Sequence, residues 1–447
     1  VVMRFESFMP GIVADALNSN AMTDPILSVS FSLVLTLAFA AFLLLGMALK
    51  FWLNSRQVRF VALHRGQVPA NFSNTISLTA HQKAADYTIA KTKLKLVMLV
   101  VNAVVLVGFT LLGGLQWLSV HLVSLAGPGI GYQISLLAAV VLISSVIDLP
   151  FDYYKQFTLE QHFGFNKMSR GLFFSDMLKN TLVGAIIGLP LIWVTLTLMD
   201  KAGELWWLYA WVLWCGFQVL MLGFYQTVVA PLFNKFTPLQ DDSLRARIEG
   251  LMQRVGFASK GLFVMDGSRR SAHGNAYFSG FGSAKRIVFF DTLLARLAPS
   301  EIEAVLAHEL GHFKLHHVIK RIGVIFVVSL GFLALLGYLK NQLWFYQGLG
   351  VQPMPTVSND AMALLLFMFV LPVFTFLLSP LMSISSRKHE FEADAFAAHH
   401  SSSQDLIAAL VKLYEDNAST LTPDPLHSAF YDSHPPASLR VQRLLSL

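Results

Sequence analysis

With a single cysteine in 447 residues, the chain has neither an intrachain disulfide nor a metal site built from several thiolates. Cys215 sits inside an apolar run, where a reactive thiolate would lack polar neighbours, so it reads as a small apolar filler. Charge is scarce as well: Asp, Glu, Lys and Arg together make up 13% of the residues, against roughly a quarter in soluble domains. That scarcity argues against a soluble fold. The formal net charge of +6 is modest, and basic loops on one membrane face explain it without a nucleic-acid partner. The first 24 residues lack a basic leader region and carry Glu6, Asp15 and Asp24, so no signal peptide is expected. No internal repeat or low-complexity tract is evident.

Apolar sequence is abundant: 55% of residues are hydrophobic and the mean hydropathy is +0.57. Seven segments are long enough to cross a bilayer as helices, near 26–50, 96–123, 131–150, 180–199, 206–229, 318–339 and 361–384. Pro150, Pro190, Pro372 and Pro380 lie in or beside them and predict kinks. The loop after the first span holds Lys50, Arg56, Arg59, Arg65, Lys83, Lys91, Lys93 and Lys95 against a single acid, Asp86. Lys155, Lys167, Arg170 and Lys179 follow the third span, and the long insert after the fifth is also basic. The intervening loops have no basic excess. This alternation predicts an outer N-terminus, with the first, third and fifth loops and the C-terminus in the cytoplasm.

The chain therefore divides into an outer N-terminal segment, 1–25, and five transmembrane helices over 26–229 with cytoplasmic loops 51–95 and 151–179. A soluble insert, 230–317, precedes helices six and seven in 318–386, and 387–447 is the cytoplasmic C-terminal part. Within the insert, Arg245 to Val255 has amphipathic helical spacing, and Gly261 to Asp266 and Lys285 to Phe290 read as short strands. Between them Gly274 to Gly282 is Gly-rich, suited to a hairpin, an edge strand or an ordinary turn. Ser300 as N-cap, with Glu303 three residues on, marks a helix start.

That helix carries His308-Glu309-Leu310-Gly311-His312. Residues four apart share a helical face, so both imidazoles can reach one Zn2+ ion, about 2.0–2.1 Å from each nitrogen. Glu309, beside a ligand, can reach water on the metal and accept its proton as general base. A catalytic zinc takes a third protein ligand. After the seventh span come Glu390 and Asp394, four apart, in Arg387-Lys388-His389-Glu390-Phe391-Glu392-Ala393-Asp394. Glu390 is the expected ligand, with Glu392 as the alternative. Asp394 can hydrogen-bond the outer nitrogen of a ligating histidine. A salt-bridged helix end is the structural reading of the same motif. His316 and His317 are further possible ligands. Ser433-His434-Pro435-Pro436 and Arg440 either form a surface turn or bring a cationic donor to the oxyanion of a peptide-cleavage intermediate.

These residues resemble the type I CAAX prenyl proteases, the a-factor-converting membrane zinc metalloproteases. The resemblance spans nearly the whole chain: seven spans, Gly274 to Phe278, His308 to His312, Glu390 to Asp394 and Ser433 to Pro436. It includes Tyr154 to Asn166, with Phe157, Leu159-Glu160 and Phe163-Gly164-Phe165-Asn166. It implies a multi-pass α-helical membrane protein, with seven transmembrane helices around a large chamber and a cytoplasmic gluzincin-type α+β metalloprotease domain. It also implies one Zn2+ per chain held by His308, His312 and Glu390, with Asp394 behind them. His434 would act in the transition state with Arg440 nearby, and the Asn275 segment would hold the peptide as an added strand. The implied partners are membrane lipids and peptide or prenylated Cys-a-a-X substrates, cut three residues from the end. Compact loops and the ending Leu445-Ser446-Leu447 fit a bacterial inner-membrane member. Two other readings are a membrane quality-control metalloprotease without prenyl specificity and a transporter or receptor with a structural zinc. Glu309 argues against the last, because a structural site gains nothing from a free carboxylate beside its metal.

Overall fold

The computed structural model describes residues 25–259, 261–279 and 286–447. The expected outer segment 1–25 lies almost wholly outside the described residues, as do 280–282 of the Gly-rich stretch. Among the described residues, seven helices are long and apolar enough to cross a membrane. The helices run in chain order α1 (Pro25–Leu63), α2 (Leu78–Phe109), α3 (Gly114–Ala126), which is too short to be one of the seven, α4 (Ile130–Tyr154), α5 (Arg170–Lys201) and α6 (Trp206–Phe224). After the soluble insert come α9 (His317–Leu339) and α10 (Asp360–Thr375), which runs through a 3-10 turn at Phe376–Leu378 into α11 (Ser379–His400). The spans pack in sequence around a chamber: α1 on α2, α2 on α3, α3 on α4, and so on through α9 to α10, which closes the ring against α1. Leu37, Val104, Leu142, Ile186 and Val327 point outward and are exposed. In lipid there is no gain from hiding them, so the helices keep apolar surface outside.

Several boundaries differ from the sequence reading. Much of the first cytoplasmic loop, 51–95, is helix, because α1 runs on to Leu63 and α2 begins at Leu78. The 96–123 run is not one helix: it breaks at Thr110 to Gly113, where Gly113 has φ +79. A Cβ at Gly114 would meet the Gly108 carbonyl oxygen at 2.6 Å, so the two segments approach too closely for any other residue there. The 151–179 loop also shrinks, since α4 continues through a π-turn to Glu160. Pro150, Pro190 and Pro372 lie inside helices, and Pro380 occupies the first turn of α11. The charges of the sixth-to-seventh loop pair with each other, Lys340 Nζ to Asp360 Oδ1 at 2.9 Å.

The insert folds into β1 (Phe236–Pro238), α7 (Asp242–Arg254), β2 (Leu262–Met265), β3 (Ala276–Ser279), β4 (Arg286–Phe290) and α8 (Pro299–Lys314). The strands order β1-β2-β4-β3; β2 and β4 are parallel, the outer pairs antiparallel. β3 is thus an edge strand. The C-terminal part adds α12 (Ser403–Asp416), α13 (Pro425–Tyr431) and α14 (Ala437–Leu445).

Two features fix α8. Ile302, Leu306 and Leu310 are buried with Ile248, Leu251, Phe289 and Leu406 in one core, each contributing roughly 1.5–3 kcal/mol. Its start differs from the expected cap: Ala298 is the N-cap position and its N–H donates to Glu301 at 2.7 Å. Ser300 instead donates to Asp405, and Glu303 pairs with Arg247 and Arg254. The Pro at N1 moved the cap upstream, because its missing N–H belongs where no helical partner exists.

α8 crosses α11 at Gly311. A Cβ there would lie 3.1 Å from the Ala393 Cα and 3.1 Å from the Phe396 Cβ, and the Ala393 backbone cannot yield. Gly311→Ala is expected to push the two helices apart at a cost of about 1–3 kcal/mol. Denaturant unfolding should show the variant melting at a lower midpoint; an unchanged midpoint would mean the crossing tolerates the methyl group.

Candidate metal centre

His308 and His312 lie one turn apart on α8, and α11 brings Glu390 against them. The donor atoms of these three residues all lie within 4.8 Å of one another. His308 Nε2 and His312 Nε2 are 3.2 Å apart; Glu390 Oε1 is 3.3 Å from His312 Nε2 and Oε2 is 3.5 Å from His308 Nε2. Donors about 2.0–2.1 Å from a shared tetrahedral centre stand roughly 3.3 Å apart, so the spacing fits zinc.

The hydrogen bonds sharpen this. His308 Nδ1 is 2.9 Å from Asp394 Oδ1, which can only accept, so that ring carries its proton on Nδ1. His312 Nδ1 is 3.0 Å from His317 Nδ1, and His317 Nε2 is 2.9 Å from Glu392 Oε2. The same logic puts a proton on His317 Nε2 and another on His312 Nδ1. Two Nε2 lone pairs and a buried carboxylate then face a common point, which is repulsive without a cation between them. A proton is the smallest such cation. Burial disfavours charge on His308, yet hydrogen bonding to Asp394 and Glu390 outweighs it and pushes the ring up to about 9.

Arg440, on α14, is buried and donates Nε to Asp394 Oδ2 at 2.9 Å and Nη2 to Oδ1 at 2.6 Å. Burial works against its charge as well, and the Asp394 carboxylate holds it charged. His434 Nδ1 lies 2.7 Å from Glu390 Oε2, but the contact is poorly directed and leaves that oxygen without an aligned donor. The His434 side chain is 62% exposed to the adjoining cavity. Glu309 is half-buried and has no hydrogen bond or ion pair among the described residues. Asn275 stands further out, exposed at the start of β3, where its carbonyl accepts the Phe290 N–H at 3.0 Å.

The structure therefore brings together His308, His312, Glu390, Asp394, Arg440 and His434, and leaves Asn275 on the neighbouring strand edge. Glu392 is drawn away to His317. His317, Glu392 and His389 also cluster within 4.8 Å, but the two imidazoles stack at 4.1 Å and 11°, so their lone pairs run parallel instead of converging. His316 adopts φ +58 at the turn between α8 and α9. Two contributors take roles other than those read from the sequence, where His317 stands as a possible ligand and Arg387 only as part of the Glu390 motif. His317 fixes the tautomer of His312. Arg387 donates Nη1 to the carbonyls of Ser428, Ala429 and Asp432, holding the segment that delivers His434. Its position three residues before Glu390 was the available hint.

Residues 57–235 match the model of the CAAX prenyl protease N-terminal region, described as five membrane helices, and residues 238–447 match peptidase family M48. A CAAX prenyl protease 1 homolog of Oryza sativa subsp. japonica is 35% identical over 420 residues, covering 92% of this chain and 96% of that one. CAAX prenyl protease 1 of Saccharomyces cerevisiae is 34% identical over 416 residues, covering 86% and 90%. The crystal structure of S. mikatae Ste24p superposes with a TM-score of 0.84 at 30% identity, over 92% of this chain and 98% of that one.

Proposed function

We propose, on the premise that this chain belongs to the CAAX prenyl protease 1 family within peptidase family M48, that His308, His312 and Glu390 hold one zinc ion per chain and that Glu309 is the general base. The protein is a multi-pass membrane metalloendopeptidase, and its substrates are peptides. Held by those donors, zinc supplies Lewis acidity, polarising the scissile carbonyl and acidifying water. Glu309 takes a proton from the attacking water and returns it to the leaving amine. Asp394 accepts the Nδ1 proton of His308 and so aims its Nε2, while Arg440 keeps Asp394 ionised. His434 donates toward the oxyanion of the tetrahedral intermediate. The free edge of β3, entered from Asn275, takes an extended peptide as an added strand.

The observation that carries this reading is the convergence of the His308 and His312 Nε2 atoms with the Glu390 carboxylate on one point, beside a Glu309 that has no hydrogen bond or ion pair among the described residues. We infer that the substrates are prenylated C-terminal Cys-a-a-X peptides, from the names of the relatives. The basic loops support a site that faces the cytoplasm, and their compactness supports a bacterial inner membrane.

A farnesylated Cys-a-a-X peptide and its unprenylated twin, incubated with the pure protein and read by mass spectrometry, test it. The farnesylated peptide should lose its last three residues, and a chelator should stop this. The unprenylated twin should be at least about tenfold slower, since even one methylene in an apolar pocket is worth that much. Equal turnover of the two would favour the quality-control reading.

A further inference from the structure

Beside the metal centre lies a cavity of about 510 Å³ that carries two ammonium groups for which the mechanism above has no use. His434 and Arg440 line it on one side. On the other, α2 presents Thr88, Lys91, Thr92 and Lys95. Residues at this spacing form one face of a helix. Lys91 is half-buried and Lys95 exposed, so both ammonium groups are open to an anion that enters the cavity. Lys95 has no hydrogen bond or ion pair among the described residues. The Lys91 ammonium rests 4.6 Å over the Tyr87 ring and likewise makes no ion pair among them. Lys93 is different: it lines a separate apolar groove with Leu44, Trp52 and Leu96, away from the site. Arg440 is already engaged by Asp394; Asp432 attracts Lys95, and Glu160 behind Tyr87 attracts Lys91, but neither acid closes an ion pair with its lysine.

We propose that Lys91 and Lys95 bind the α-carboxylate at the C-terminus of the peptide being cut. This rests on the C-terminal substrate reading given above. The terminal carboxylate is the one anion that every such peptide shares, whatever its side chains. The cavity lies within the roughly 300–1,000 Å³ typical of ligand sites, and a terminal tripeptide spans only about 10 Å extended. Ammonium-to-carboxylate hydrogen bonds are charge-assisted and strong where water is thin. Anchoring the end of the chain there sets the scissile bond by counting back from the C-terminus, so cleavage position is fixed by length as well as by sequence.

The test compares a farnesylated peptide bearing a free C-terminal carboxylate with its carboxamide, using the full-length zinc-loaded protein in detergent. For the wild type, amidation should lower kcat/KM by about 10–100-fold, mostly through KM, the range for hydrogen bonds to charged groups. In the Lys91→Met/Lys95→Met variant the free acid should fall to the amide level, and the acid-to-amide ratio should approach one. Lys93→Met should keep the wild-type ratio. If the double variant fails to hold zinc, Lys95→Arg should preserve the ratio and Lys95→Gln reduce it. Equal rates for acid and amide with the wild type, or an unchanged ratio in the lysine variants, overturn this proposal alone. Failure to cleave either farnesylated peptide while an unfolded membrane protein is degraded overturns the substrate reading, and this proposal with it.

Discussion

Glu309→Gln protein, purified with zinc, is expected to keep one metal ion per chain while kcat falls by about 10²–10⁴-fold, the usual contribution of a positioned general base. The substitution preserves shape and removes only the basic oxygen. Nothing else should move, because the Glu309 side chain has no hydrogen bond or ion pair among the described residues that its loss would break. Metal analysis and turnover must be read on the same sample. Full turnover in a metal-loaded variant would remove Glu309 from the chemistry, whereas loss of metal together with activity would make it a ligand or a support.

Glu390→Ala is expected to leave almost no zinc after dialysis against a weak chelator, with turnover lost in parallel. Two imidazoles alone do not make the three-ligand set of a catalytic zinc. The decisive comparison is Glu392→Ala, one of the alternatives that the sequence leaves open. Glu392 reaches His312 only through His317. Its removal should therefore weaken zinc by about 10–100-fold, the usual effect of losing an outer hydrogen-bond partner, and leave the metal bound at saturating concentration. If Glu392→Ala strips the metal and Glu390→Ala does not, the ligand assignment is wrong.

Periodicity and hydropathy made most of the architecture legible. The seven spans, the amphipathic α7 and both β2 and β4 follow from local patterns, which a short window of residues suffices to express. Helix ends were less legible. The apolar run of α2 begins at 96, yet the helix starts at Leu78, and its stretch from Tyr87 to Lys95 lines a cavity and need not be apolar. Lys91 and Lys95 therefore look like loop charges in the sequence and are cavity-facing groups in the fold. The cap of α8 was displaced from Ser300 to Ala298 by Pro299, a local effect that competed with a stronger pattern.

The candidate site divides the same way. His308, Glu309 and His312 could be read from five consecutive residues, since helical geometry alone puts both imidazoles on one face. So could the pairing of Glu390 with Asp394 along a second helix. Sequence by itself thus determined the membrane class, the paired-histidine motif of the candidate site and the metallopeptidase class of chemistry. Which carboxylate of α11 meets the histidines was decided only by how that helix rolls against α8. The close approach at Gly311 and Ala393 sets that roll, turning Glu390 inward and sending Glu392 to His317. The arrival of Arg440 and His434, more than 120 residues after the histidines, likewise depends on tertiary packing. A contact between distant segments reflects the summed packing of everything between them, and no local pattern carries that information.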